Sequence, residues 1–146
     1  LVPGYEAPIY VAWSATNRSP LIRIPVTRGA GTRVELRCPD PAANPYLVLA
    51  VCLEAGLDGI RNQITPPDAV TENVFEMQLP QRAKLGIESL PGDLEQAVEE
   101  LEKDDYIKNV LGGHITEKYL EAKKAEWADY RAQVTEWEIE KYLYKI

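Results

Sequence analysis

A chain of 146 residues is long enough for one domain with a buried core, and its 45% hydrophobic content sets it among folded rather than disordered sequences. No apolar run approaches the ~20 residues of a membrane span. The net charge of −7 argues against nucleic acid as a partner, because no basic face is large enough to neutralise a phosphate backbone.

The charge is unevenly spread. Residues 1–40 carry five Arg against Glu6, Glu35 and Asp40, a net of +2, while the remainder carries 11 basic and 20 acidic residues, a net of −9. Every lysine lies at Lys84 or later, so upstream positive charge comes only from Arg. Arg offers a planar fork that fits carboxylate and phosphate, whereas Lys is a point charge.

In chain order, Leu1-Val2-Pro3-Gly4 lacks the charged and apolar regions of a secretory signal and lacks an initiator Met, as expected for the interior of a longer chain. Glu6 follows in a Pro- and Gly-bracketed stretch, which reads first as a loop and, more sharply, as an active-site flap. Ile9 to Trp13, Leu21 to Ile24 and Thr32 to Cys38 read as strands, with Gly29-Ala30-Gly31 as a turn. Short connections predict antiparallel pairing. Asn44-Pro45 opens a helix bearing Leu47, Ala50, Val51, Leu53, Leu57 and Ile60, apolar on much of its circumference and therefore expected to be central.

Residues 63–92 read as a connection without strong periodicity. Asp93-Leu94-Glu95-Gln96 opens a helix to about Lys103, and Asp104 to Leu111 forms a short one ended by Gly112-Gly113. A longer helix follows from Thr116 to about Val134. Thr135-Glu136-Trp137-Glu138 is a capping box for a last helix running towards Ile146. The fold class is α+β, in four stretches: strands and flap over 1–42, the central helix over 43–62, the connection over 63–92 and a helical region over 93–146. Cys38 and Cys52 form no metal or redox motif and predict two buried thiols in a reducing cytosol. His114 has no second His or Cys nearby and reads as a surface or capping residue. Trp127, Tyr130, Trp137, Tyr142 and Tyr144 read first as a packed helical face and, more sharply, as an oligomer contact.

The chemistry concentrates in two segments. In Thr32-Arg33-Val34-Glu35-Leu36-Arg37 the charges alternate with apolar residues, so a strand places all three on one face. Pattern alone favours an exposed ladder of ion pairs, worth little energetically. The sharper reading is an anion site extending about 13 Å at ~3.3 Å per residue, with Glu35 available to Mg²⁺ or Mn²⁺. Arg18 and Arg23 lie in Asn17-Arg18-Ser19-Pro20-Leu21-Ile22-Arg23-Ile24-Pro25, where two prolines stiffen the backbone beneath the guanidinium groups, as phosphate clamping requires.

These segments closely resemble the C-terminal part of a bacterial type I glutamine synthetase. The resemblance runs through Leu1 to Pro8, Asn17 to Pro25, Arg28-Gly29, Thr32 to Arg37, Asp40 to Leu47 and Ala55-Gly56-Leu57-Asp58-Gly59-Ile60, and is looser beyond. It implies ATP-dependent ligation of ammonia to L-glutamate through γ-glutamyl phosphate, with Mg²⁺ or Mn²⁺. Residue by residue it implies Glu6 as the flap glutamate that helps bind and deprotonate ammonium. It implies Arg18 at the transferring phosphoryl group and substrate, Arg23 and Arg33 on the nucleotide side, Glu35 as a metal ligand and Arg37 at a substrate carboxylate. It also implies a cytoplasmic dodecamer with the last helix contacting the facing ring and, in some Gram-positive members, nitrogen-regulatory transcription factors as partners. The family's other metal ligands have no counterpart in this chain, so the chain alone is expected to be inactive. Asn73-Val74-Phe75-Glu76 matches the site where some members carry an adenylylated tyrosine, with Phe75 in its place. The alternatives are a γ-glutamyl ligase acting on another amine, and a non-catalytic interaction module.

Overall fold

The computed structural model describes residues 8–143 and residue 145. It is a mixed α+β structure in which the chain divides into two compact units between Gly92 and Asp93.

The first unit carries two small sheets. Strands β1 (Tyr10–Val11) and β5 (Glu88–Ser89) pair antiparallel, while β2 (Trp13–Ser14), β3 (Ile22–Arg23) and β4 (Glu35–Leu36) form a second sheet in that order. The expected single strand from Ile9 to Trp13 is therefore split. Ala12 donates its N–H to Tyr10 O at 2.9 Å, and this tight turn sends the chain from one sheet to the other.

The expected antiparallel pairing holds for β3 with β4 but not for β2 with β3, which run parallel with Trp13 opposite Ile22. Parallel partners normally need a long crossover. Here each strand has two residues, and the link over 15–21 folds back on itself. Ser14 Oγ accepts the N–H groups of Thr16 and Asn17, both at 3.3 Å, which starts the reversal.

Residues 63–92 are more ordered than their sequence predicts. They contain α2 (Leu79–Lys84) and β5, and they deliver Val74 and Met77 to the core beside Ile9 and Tyr10. Val70, Phe75 and Ile87 pack against that cluster, and the Arg82 guanidinium lies 4.6 Å from the Tyr10 ring centroid. Two backbone bonds stitch the segment down: Val70 N–H to Trp13 O at 2.9 Å and Leu90 N–H to Ile9 O at 2.7 Å.

Helix α1 (Pro45–Arg61) starts where the sequence places it. Asn44 Oδ1 accepts the N–H groups of Tyr46 at 2.9 Å and Leu47 at 3.4 Å, with Pro45 in the first turn. It ends as Gln63 adopts a left-handed φ of 52° and Ile64 N–H returns to Gly59 O at 2.9 Å. Its expected burial is not met among the described residues. No α1 residue is buried, and Tyr46, Leu49, Leu53 and Ile60 are exposed, because residues 63–92 turn back onto β1 and β2 rather than over the helix.

The second unit is helical. Asp93 caps α3 (Leu94–Lys103) by accepting Gln96 N–H at 2.8 Å, and Asp104 caps α4 (Asp105–Leu111) by accepting Ile107 N–H at 2.9 Å. Gly112, at φ 79°, ends α4, and α5 (Gly113–Arg131) starts at once, earlier than the predicted Thr116. Thr116 is instead buried in the first turn, where its hydroxyl donates to Lys108 O at 3.2 Å and ties α5 to α4. Val98 is the buried residue of α3. The Thr135 capping box forms as expected, opening α6 (Glu136–Glu138), which continues into a π-helical turn over Ile139–Leu143. Trp127 stacks on Tyr130 at 5.7 Å, and Trp137 meets Tyr142 edge-on at 5.8 Å. No helix among the described residues is long and apolar enough to cross a membrane.

Candidate active site

The β3–β4 ladder sets Arg23 directly opposite Glu35. Directly opposed residues project from the same face of a sheet, so the two side chains meet. Arg23 Nη1 donates to Glu35 Oε2 at 3.0 Å. Arg33 reaches the other oxygen, with Nε 2.8 Å and Nη2 2.6 Å from Glu35 Oε1. The turn before β4 allows this. Gly29 takes a positive φ of 71°, and at Gly31 a Cβ would collide with the Thr27 side chain, so the backbone closes tightly there. Arg33 Nη1 then donates to Gly31 O at 3.1 Å.

Glu35 thus carries a guanidinium on each oxygen. The hydrogen bond from Arg23, with that from Arg33 and the charge of both, holds its carboxyl below the usual carboxylate range. Arg23 Nε is buried and has no hydrogen-bond partner among the described residues.

The alternating segment lies the opposite way from a surface ladder. Val34 is 65% and Leu36 38% exposed, whereas the Glu35 side chain is 27% exposed. Glu35 and Arg37 are partly buried, whereas the Arg33 side chain, 51% exposed, stays in solvent along with Val34 and Leu36. Arg37 does not join Arg33 and Glu35 in the ion-pair cluster. Its Nη1 turns to the carbonyl oxygens of Arg18 and, at 3.3 Å, Pro20.

Beside that contact lies an open depression of about 450 Å³, lined by Asn17, Arg18, Ser19, Arg37, Asn73 and Phe75. Two arginines lining one depression suit an anionic ligand. A similar depression of about 480 Å³, lined by Val11, Val70, Glu72, Lys84 and Ile87 among others, has no arginine.

Of the residues singled out from sequence, the structure therefore forms two groups: Arg18 with Arg37, and Arg23 with Glu35 and Arg33. Glu6 lies outside the described residues. Sequence reading missed Asn17, Ser19, Asn73 and Phe75 as neighbours of Arg18, since residues 17 and 73 are brought together only by tertiary folding.

Among the described residues, no group of three or more His, Cys, Asp and Glu could hold a metal ion. Glu35 offers one carboxylate, already engaged by two arginines, so these residues do not by themselves fit a metal centre. Cys38 and Cys52 are unpaired and half-buried rather than fully buried, and burial pushes the Cys38 thiol up. His114 is exposed, as its sequence context predicts.

Residues 1–142 match the family described as glutamine synthetase, catalytic domain. The chain belongs to the glutamine synthetase catalytic-domain family. It is 55% identical over 145 residues to the glutamine synthetase of Clostridium saccharobutylicum, covering 99% of this chain and 33% of that protein. It is 56% identical over 144 residues to that of Thermotoga maritima, covering 99% and 33%, and 54% identical over 143 residues to that of Methanosarcina mazei, covering 98% and 32%. The chain thus spans about a third of the length of these glutamine synthetases.

Among solved structures, one described as "Apo GmaS without ligand" superimposes with a TM-score of 0.78 at 38% identity, covering 94% of this chain and 31% of that one. A Plasmodium falciparum glutamine synthetase solved by cryo-electron microscopy gives a TM-score of 0.76 at 22% identity, covering 97% and 36%, and shares the fold. The family match over residues 1–142 thus includes the part beyond residue 60 where the sequence resemblance is looser.

Proposed function

We propose that this chain forms one wall of the active site of an ATP-dependent glutamate–ammonia ligase. The observation that carries the reading is the convergence of Arg18 and Arg37 on one depression, with the Arg23–Glu35–Arg33 cluster on the neighbouring strands, in a chain of this family.

In the proposed reaction a γ-carboxylate oxygen of L-glutamate attacks the γ-phosphorus of ATP, releasing ADP and forming γ-glutamyl phosphate. Ammonia then attacks the acyl carbon, phosphate leaves with the bonding pair, and loss of a proton gives glutamine. Phosphoryl transfer of this kind depends on positioning and charge neutralisation more than on covalent help from the protein. Arg37 holds a substrate carboxylate, and Arg18 faces the transferring phosphoryl group. Arg23 and Arg33 serve the nucleotide phosphates. Glu6 acts as the flap carboxylate that receives the ammonium proton.

Mg²⁺ or Mn²⁺ would supply charge neutralisation at the phosphates, and Glu35 would contribute a single ligand. The remaining ligands would come from outside this chain. A cytoplasmic homo-oligomer, a dodecamer, completes the proposal, together with nitrogen-regulatory transcription factors as partners.

Arg37→Lys in the full-length enzyme tests this reading, because an ammonium cannot reproduce the bidentate fork. The expected result is a raised KM for L-glutamate and reduced glutamine formation with the assembly intact. Unchanged kinetics would defeat the assignment. Loss of the assembly with no kinetic defect in the residual complex would favour an interaction module instead.

A further inference from the structure

We infer that Asn17 and Ser19 form a latch that ties residues 70–74 to the backbone around Arg18 and thereby positions Arg37. They are positioning residues, since nothing in the inference requires them to touch substrate.

The hydrogen bonds are continuous. Asn17 Nδ2 donates to Glu72 O at 2.9 Å and to Val70 O at 3.3 Å. Asn17 Oδ1 accepts both the N–H and the hydroxyl of Ser19, each at 2.8 Å. Ser19 Oγ in turn accepts the N–H of Val74 at 3.0 Å, a bond buried within the protein. Ser19 is 6% exposed and Val74 is fully buried. Each polar atom in this chain of contacts thus has a partner, and removing the Ser19 hydroxyl would leave the buried Val74 N–H unmatched, which is costly.

The position of the latch gives it a consequence beyond stability. The carbonyls that accept from Arg37 Nη1 belong to Arg18 and Pro20, the residues on either side of Ser19. The backbone that seats the Arg37 guanidinium is therefore the backbone that the latch fixes. The same latch holds Asn73 and Phe75 against the far side of the depression that Arg18 and Arg37 share. Phe75 also packs against Tyr10, with ring centroids 5.9 Å apart. Freeing the latch would loosen one wall and the seat of one arginine together.

The kinetic half of this inference rests on the proposed ligase reading, whereas the structural half does not. The test uses the full-length enzyme with Ser19→Ala, Ser19→Thr and Asn17→Asp. Ser19→Ala removes the acceptor for Val74 N–H. Asn17→Asp keeps the acceptor for Ser19 but removes the donor to Val70 and Glu72. Both are expected to raise KM for L-glutamate by roughly tenfold or more, as misplacement of a substrate-holding group does, with a smaller change in KM for ATP. Ser19→Thr, which keeps the hydroxyl, restores the wild-type value.

Amide exchange of the peptide spanning 70–77 is read in parallel and should accelerate in Ser19→Ala. Unchanged exchange overturns the latch, whatever the catalytic outcome. Accelerated exchange with an unchanged KM for glutamate, or with equal changes in every kinetic constant, overturns the positioning role. A wild-type enzyme that forms no glutamine defeats the ligase reading and leaves the latch to be decided by exchange.

Discussion

Arg23 and Glu35 stand opposite one another in the β3–β4 ladder and close an ion pair at 3.0 Å. The pairing joins the proline-punctuated arginine segment to the alternating one, which the sequence presents as separate. It also leaves Glu35 with two guanidinium neighbours, and that arrangement governs how the strand pair responds to pH.

Because the Glu35 pKa is depressed in the folded state, its contribution to stability is present above the unfolded-state pKa and is lost as pH falls through the folded value. Glu35→Gln should therefore flatten the acid limb of the stability profile while leaving its alkaline limb unchanged. Carbon-13 NMR of the Glu35 carboxyl should show titration below that of an ordinary glutamate, and an ordinary midpoint would refute the two-arginine environment.

Stability should be far more sensitive to the small core than to the charged helices. Met77 is 6% exposed and packs with Ile9, Tyr10 and Val74, so Met77→Ala is expected to cost about 2–5 kcal/mol. Lys124 pairs with Glu102 in solvent, with both side chains more than a third exposed, and Lys124→Ala should cost less than about 1 kcal/mol. Denaturant unfolding of the two variants compares them, and equal losses would contradict this assignment of the core.

Purified alone, the 146-residue chain should form no glutamine from glutamate, ammonia, ATP and Mg²⁺. Its described residues supply the arginines but only Glu35 from the proposed metal site, and no metal-holding cluster occurs among them. Measurable turnover would show that the chain completes a site by itself.

Position 75 should not accept an adenylyl group. Phe75 presents no hydroxyl, and it is half-buried, packed against Tyr10 and lining the depression with Arg18 and Arg37. Incubating the full-length enzyme with an adenylyltransferase and labelled ATP should leave the peptide containing Phe75 unlabelled. Label on that residue would contradict the expectation.

The helix starts capped by Asn44, Asp93 and Thr135 were legible because their determinants are local. Asn44, Asp93 and Thr135 each satisfy N–H groups two or three residues away, so a short stretch of sequence contains the whole interaction. The segment from 63 to 92 was opaque for the converse reason. Val74 and Met77 become core only by meeting Ile9 and Tyr10, and no periodicity announces a partner so distant along the chain.

The sequence by itself determined the α+β class, the helix starts that carry a capping side chain, the concentration of arginine before residue 40 and the family resemblance. It did so because capping, composition and short motifs are properties of neighbouring residues. Only the tertiary structure decided that β2 and β3 run parallel, that Glu35 takes Arg23 as a partner, and that Arg37 turns away to the carbonyls of Arg18 and Pro20. Alternation in Arg33-Val34-Glu35-Leu36-Arg37 specifies two faces but not which one turns inwards. That choice depends on what lies across the ladder, and here Arg23 lies across it and draws the carboxylate in.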